Sequence, residues 1–208
     1  MFDAKLRPLI DPPLNRLGYR LAKSGVSPND VTLVGLGFGL AMAAVVALSG
    51  PMLVAIVFLA LSRLADGLDG AVARASRKTD FGGYLDIFCD FVFYAAIPCA
   101  FALRDPSNNA LVAGFLIASF YVNAASFLGF AIMAEKNGLS TDAQGQKSLY
   151  YAAGLLEGAE TIAFFLFVCV FPSSFAICAS AFAILCLFTA VARVFWARKL
   201  IGQNPRET

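Results

Sequence analysis

The feature that most constrains this chain is a series of six apolar runs, at about 31–49, 52–74, 83–103, 109–134, 151–171 and 174–197. Each is close to the ~20 residues that an α-helix needs to cross the hydrocarbon core of a bilayer. No water is available there for backbone N–H and C=O groups, so a spanning segment must close its hydrogen bonds within itself. The sequence therefore predicts an all-α, polytopic membrane protein with six transmembrane helices. Composition agrees: 59% of the 208 residues are hydrophobic, too many for a soluble domain of this size. Breaks at Gly50-Pro51, Arg104 to Asn108 and Pro172-Ser173 are short and fall on one side of the membrane. The basic residues of the amino-terminal segment, the Arg74–Lys78 turn, the Lys136–Lys147 loop and the Arg198–Arg206 tail fall on the other. The positive-inside rule then places both termini in the cytoplasm.

Residues 1–30 carry Lys5, Arg7, Arg16, Arg20 and Lys23, with Leu14, Leu17 and Leu21 spaced for one helical face. This predicts a short amphipathic helix lying on an anionic membrane surface. A signal peptide fits less well, because the first apolar run begins only near Val31 and is long enough to span. Ser27-Pro28-Asn29-Asp30-Val31-Thr32 has the form of a helix start, with a capping residue followed by proline. Three parts are expected: a juxtamembrane segment over 1–30, a six-helix domain over 31–199 and a polar tail over 200–208. The net charge of +2 gives no global footprint for nucleic acid. The five cysteines all sit in apolar segments without C-x-x-C spacing and read as packing residues. The chain has no histidine, so a general base must be a carboxylate and a phosphohistidine intermediate is excluded.

Set into this apolar background are four carboxylates at Asp66, Asp69, Asp86 and Asp90. Asp66 and Asp69 share one helical face with Gly70 beside them, and Asp86 and Asp90 are one turn apart on the next helix. Unpaired charge near hydrocarbon is strongly disfavoured and like charges repel, so the cluster needs an offset. An all-oxygen donor set favours a hard divalent ion such as Mg²⁺ or Mn²⁺. Arg74 adds a planar donor fork suited to phosphate, and Gly70 permits close approach to backbone. Asp66 lies eight residues before Arg74, about 12 Å along a helix at ~1.5 Å per residue. That depth is within reach of a lipid phosphate. Arg63, one turn before Asp66, reads as an offset for local negative charge.

The pattern D-x-x-D-G-x-x-A-R, seven residues, then G-x-x-x-D-x-x-x-D is similar to the signature of the CDP-alcohol phosphotransferases, with eight positions at fixed spacing. The resemblance implies an inner-membrane enzyme of phospholipid synthesis, commonly homodimeric. Such an enzyme transfers a phosphatidyl group from CDP-diacylglycerol to a small alcohol and releases CMP. It implies metal ligands at Asp66, Asp69, Asp86 and Asp90, two Mg²⁺ or Mn²⁺ ions per site, and Asp90 as the catalytic carboxylate nearest the acceptor. Gly70 and Arg74 would hold CDP and its phosphates, with Thr79, Asn29 and Thr32 as further contacts; Thr79 and Asp80 also read as a helix cap. Lys147, Glu157, Glu160 and Arg193 are the acceptor-side candidates, since an ionisable residue within a span is functional by default.

Members that use inositol phosphate are similar in having basic side chains near the end of the fourth span and an arginine after the fifth-span glutamate. Here Met133-Ala134-Glu135 and Glu157-Gly158 stand in those places, which favours an unphosphorylated acceptor; Lys147 and Arg193 keep a phosphorylated polyol open. Transfer from a CDP-amino-alcohol to a lipid acceptor would use the same motif. A divalent-ion transporter is the rival outside the family, but the acids gather at one membrane face, whereas an ion path needs polar groups on both sides of the midplane.

Overall fold

The computed structural model describes residues 3–136 and 158–201, with side chains from residue 11 onward. Among the described residues the chain is helical and has no strand. The helices are α1 (Asp3–Lys23), α2 (Pro28–Ala47), α3 (Met52–Ala75), α4 (Asp80–Arg104), α5 (Pro106–Lys136), α6 (Gly158–Val170) and α7 (Phe175–Ile201). A single 3₁₀ turn, Pro172–Ser174, joins the last two. Five of the apolar runs read from the sequence recur as helices with ends within a few residues of those expected, and the described part of the fifth run, from Gly158, is helical too.

Among the described residues four segments are long and apolar enough to cross a membrane: α2, α4, α5 and α7 with its 3₁₀ turn. α3 has the length, at 24 residues, but carries Arg63, Asp66, Asp69 and Arg74, and those charges depress its hydropathy. α6 is described over 13 residues, because the start of the fifth apolar run lies outside the described residues. Of the six spans expected, four meet both length and hydropathy among the described residues; α3 is long but charged, and α6 is apolar over its 13 described residues.

The connections follow local chemistry. Asp105 stands between α4 and α5 and accepts a hydrogen bond from the Asn108 backbone N–H at 3.3 Å, while Pro106, which has no N–H to lose, opens α5. Thr79 caps α4 by accepting from the Gly82 N–H at 3.0 Å. Ser27 occupies the cap position of α2 but makes no side-chain capping bond, contrary to the reading of that stretch; Pro28 begins the helix without it.

α2 packs extensively against both α3 and α4, whereas α3 and α4 scarcely approach one another. α2 is therefore the shared wall, and the polar faces of α3 and α4 look at each other across a gap. Gly39 makes this possible: a Cβ there would lie 2.6 Å from the Phe93 ring of α4 and 3.3 Å from Ser62 Oγ of α3. Beyond the gap, α5 packs on α4 and α7 on α5. An aromatic core fills the bundle, with Phe93 edge-on to Phe165 at 5.6 Å and Phe101 stacked on Phe175 at 4.4 Å.

α1 differs from expectation. It is 21 residues long, not short, and it docks along α3 as well as carrying a polar outer face. Gly18 is buried against Ala71, where a Cβ would come within 2.7 Å of the Ala71 carbonyl carbon, and Leu14 reaches Gly67. This tertiary contact supports a helix whose prolines leave it little stability of its own. Gly18→Leu forces a side chain into α3 backbone, and overpacking of this kind destabilises by about 1–3 kcal/mol. The midpoint of thermal unfolding in detergent should fall accordingly; an unchanged midpoint would show that α1 is not docked here.

Candidate active site

Asp66 and Asp69 descend from α3, and Asp86 and Asp90 from α4, into the gap walled by α2. One oxygen from each of Asp66, Asp86 and Asp90 lies within 4.8 Å of the other two, which is ligand spacing for a metal ion. All three are half-buried. Asp69 lines the same cleft but stands outside this trio. It is 7% exposed, and its Oδ2 accepts a 2.6 Å hydrogen bond from Thr32 Oγ1 of α2. Thr32 lies equally within reach of the Pro28 carbonyl, at 3.1 Å, so the first turn of α2 fixes the hydroxyl that addresses Asp69.

Arg63 supplies the cation. Its Nη1 lies 3.2 Å from Asp90 Oδ1 and 3.6 Å from Asp66 Oδ1. Nη2 donates to Ser62 Oγ at 3.1 Å, and Ser62 in turn donates to the Gly35 carbonyl at 2.8 Å. The guanidinium rests 4.5 Å above the centre of the Phe93 ring, a cation–π arrangement. Its Nε is buried with no hydrogen-bond partner among the described residues.

The residues expected to hold CDP gather at the same end of the bundle, where α2 and α4 begin and α3 ends. Arg74 is exposed and gives Nε and Nη2 to Asn15 Oδ1 of α1, at 3.3 and 2.9 Å. Its Nη1 lies over Gly70, 3.3 Å from where a Cβ would stand. Asn29 Oδ1 and Thr79 Oγ1 both crowd Gly82, at 3.2 and 3.1 Å from its would-be Cβ. The first turns of α2 and α4 both lie at this end, where helix N-termini carry partial positive charge suited to an anion, although the Gly82 N–H of α4 is already taken by Thr79.

Of the acceptor-side candidates, Glu160 and Arg193 fall among the described residues. Lys147 and Glu157 lie outside the described residues. Glu160 is half-buried in the first turn of α6, and that helix begins beside α4, with Gly158 facing the Tyr94 hydroxyl one turn beyond Asp90. Arg193 is only 7% exposed, but it does not line the aspartate cleft. It reaches α5, donating through Nη1 to the Asn123 carbonyl, Asn123 Oδ1 and Ser126 Oγ at 3.1, 3.0 and 2.6 Å. These bonds tie α7 to α5.

Asn15, Ser62 and Phe93 escaped the sequence reading. Asn15 offered one cue, as an uncharged polar residue next to the Leu14 stripe; Ser62 and Phe93 offered none. Cys89 is buried, as a packing cysteine should be, yet it also lines the cleft between Asp86 and Asp90.

Fold and site together define an integral membrane helical protein with a carboxylate-rich site at one end of the bundle. The sequence profile of the CDP-alcohol phosphatidyltransferases matches residues 26–196, and the chain belongs to that family of phosphotransferases. It is 44% identical over 195 residues to the inner membrane protein YnjF of Escherichia coli, covering 94% of each chain. It is 39% identical over 101 residues to the archaetidylinositol phosphate synthase of Pyrococcus horikoshii, covering 48% of this chain and 53% of that one. Among solved structures it shares the fold of the Mycobacterium tuberculosis phosphatidylinositol phosphate synthase crystallised with CDP-DAG, with a TM-score of 0.73 at 22% identity over 94% of this chain and 98% of the other.

The Thr32–Asp69 contact can be tested by itself. Thr32→Val keeps the side-chain shape but leaves a buried carboxylate oxygen without its donor, a loss of about 1–3 kcal/mol. The unfolding midpoint measured in detergent should fall by a corresponding amount, and no shift would show that the hydroxyl does not serve Asp69.

Proposed function

We propose that the chain transfers a phosphatidyl group from CDP-diacylglycerol to the hydroxyl of a small, unphosphorylated polar alcohol, releasing CMP. The observation that carries this reading is the convergence of three aspartate oxygens within 4.8 Å beside the Gly70–Arg74 anion cradle, in a chain of this family. The acceptor hydroxyl attacks the phosphatidyl phosphorus, a new P–O bond forms to the acceptor, and the P–O bond to CMP breaks. Asp90 takes the acceptor's proton. Arg74, held by Asn15, is aimed at the diphosphate across Gly70; Asn29, Thr32 and Thr79 border the nucleotide.

The all-oxygen set of Asp66, Asp69, Asp86 and Asp90 fits Mg²⁺ or Mn²⁺, and a pair of ions is the proposed complement. When bound, such ions neutralise the diphosphate and the charge on departing CMP. The domain runs over 31–199 as six spans, with the polar end of the bundle and both termini in the cytoplasm, where CDP-linked lipids are made. Acyl chains remain in the bilayer while the headgroup enters the cleft. The enzyme works as a homodimer.

Support for an unphosphorylated acceptor comes from charge. Among the described residues lining the cleft, Arg63 is one cation against four aspartates, an acidic surround that disfavours a second phosphate, while Glu160 and Glu157 suit hydroxyl donors. A phosphorylated polyol is the second reading, favoured by the names of the two inositol phosphate-type synthases the chain is similar to.

The deciding assay follows CMP release by purified protein in detergent with Mg²⁺, CDP-diacylglycerol and a panel of acceptors: glycerol 3-phosphate, inositol, inositol phosphate, serine, choline and ethanolamine. Acceptor-dependent release, greatest with an uncharged polyol and lost on chelation, is the expected result. Asp90→Asn should lower turnover at least ~100-fold, the scale of a missing general base. Asn15→Ala should chiefly raise the KM for donor. Absence of both turnover and metal-dependent CDP binding would sink the reading.

A further inference from the structure

Arg63 is more than a distant counter-charge. Its Nη1 lies against two carboxylate oxygens at once, 3.2 Å from Asp90 and 3.6 Å from Asp66, and both residues belong to the trio spaced for a metal ion. A divalent ion held by Asp66, Asp86 and Asp90 and a guanidinium held by Asp66 and Asp90 draw on the same negative charge. The two cations also repel one another at this range. We propose that Arg63 is a resident cation that competes with the divalent metal for Asp90 and Asp66, so that metal loading requires the guanidinium to give up its hold on Asp90. The inference rests on the metal-dependent reading above.

The surroundings of Arg63 suit such an exchange. Phe93 and Ser62 hold the guanidinium by its face and by Nη2, contacts that do not involve the carboxylates and can persist when Nη1 lets go. Nε is buried with no hydrogen-bond partner among the described residues, so the fork is incompletely satisfied in this position. Arg63 acts through Asp90 and is a positioning residue.

A purely structural role makes the opposite prediction. If Arg63 only staples α3 to α4, its loss lets the carboxylates drift apart and metal affinity falls, as when residues behind a ligand are removed. If it competes, its loss leaves the carboxylates to the metal and affinity rises. The sign of one measurement separates the two.

Purified protein in detergent is titrated with Mn²⁺, and free ion is followed by its electron paramagnetic resonance signal. Arg63→Met and Arg63→Gln should each bind Mn²⁺ at least about tenfold more tightly than the wild type, a free-energy change near 1.4 kcal/mol or more at about 25 °C. Arg63→Lys, which keeps the charge, should stay within about threefold of wild type. Two neutral variants are used so that misfolding of one, checked by its thermal melt, leaves the other decisive. Equal or weaker binding in the neutral variants overturns the proposal while leaving the metal reading intact. Failure of every form to bind Mn²⁺ overturns both.

Discussion

Mutual repulsion of carboxylates inside an apolar bundle is the constraint on which this structure turns. Two unit charges less than 4.8 Å apart repel by about 3–4 kcal/mol even at an effective dielectric constant of ~20. Three such pairs approach ~10 kcal/mol, the whole stability of an ordinary domain. The chain cannot hold Asp66, Asp86 and Asp90 together by hydrophobic burial of the same helices alone. It places Arg63 among them and gives Asp69 to Thr32. These devices reduce the repulsion without abolishing it, and the residue of negative charge is what gives the cleft its affinity for cations.

That arrangement depends on α2, which bears none of the acids. Because α2 packs on both α3 and α4 while those two scarcely approach one another, the gap between them stays open. The small residue at Gly39 lets α2 come close enough to wall the gap, and Ser62 binds it there through the Gly35 carbonyl. A larger side chain at Gly39 would displace Phe93, and Phe93 is the surface on which Arg63 lies. A packing choice on one helix thereby sets the position of a charge on a second and its partner on a third.

Much of this was legible in sequence, for reasons that differ by element. The spans were readable because lipid demands a long apolar run whatever the tertiary fold, so α2, α4, α5 and α7 announced themselves locally. The aspartates were readable because helical periodicity places Asp66 with Asp69 and Asp86 with Asp90 before any packing is known. Partners distant in the chain were not. Arg63 meets Asp90 at 27 residues' separation, Arg74 meets Asn15 at 59 and Arg193 meets Asn123 at 70, and no local pattern encodes such pairs. Arg193 shows the consequence: an arginine near the end of a span reads as a site residue, and the partners that bind it to α5 are invisible in the sequence. The docking of α1 was hidden for the same reason, since an amphipathic pattern looks alike whether its apolar side meets lipid or Ala71.

Phe93 joins the chemistry to the core. One face of its ring carries the Arg63 guanidinium, and the ring also packs edge-on with Phe165 of α6. Phe165 in turn neighbours Tyr94 and Phe120, and Phe120 neighbours Phe182 of α7. The cation in the cleft is therefore held from behind by the same aromatic cluster that binds four helices together. Close-packed interiors pass displacement on to their neighbours and do not absorb it, so the orientation of Arg63 is fixed by the whole bundle while its hold on Asp90 stays a single replaceable contact. A firmly held base with a releasable tip is what an exchange between a fixed cation and a mobile one requires.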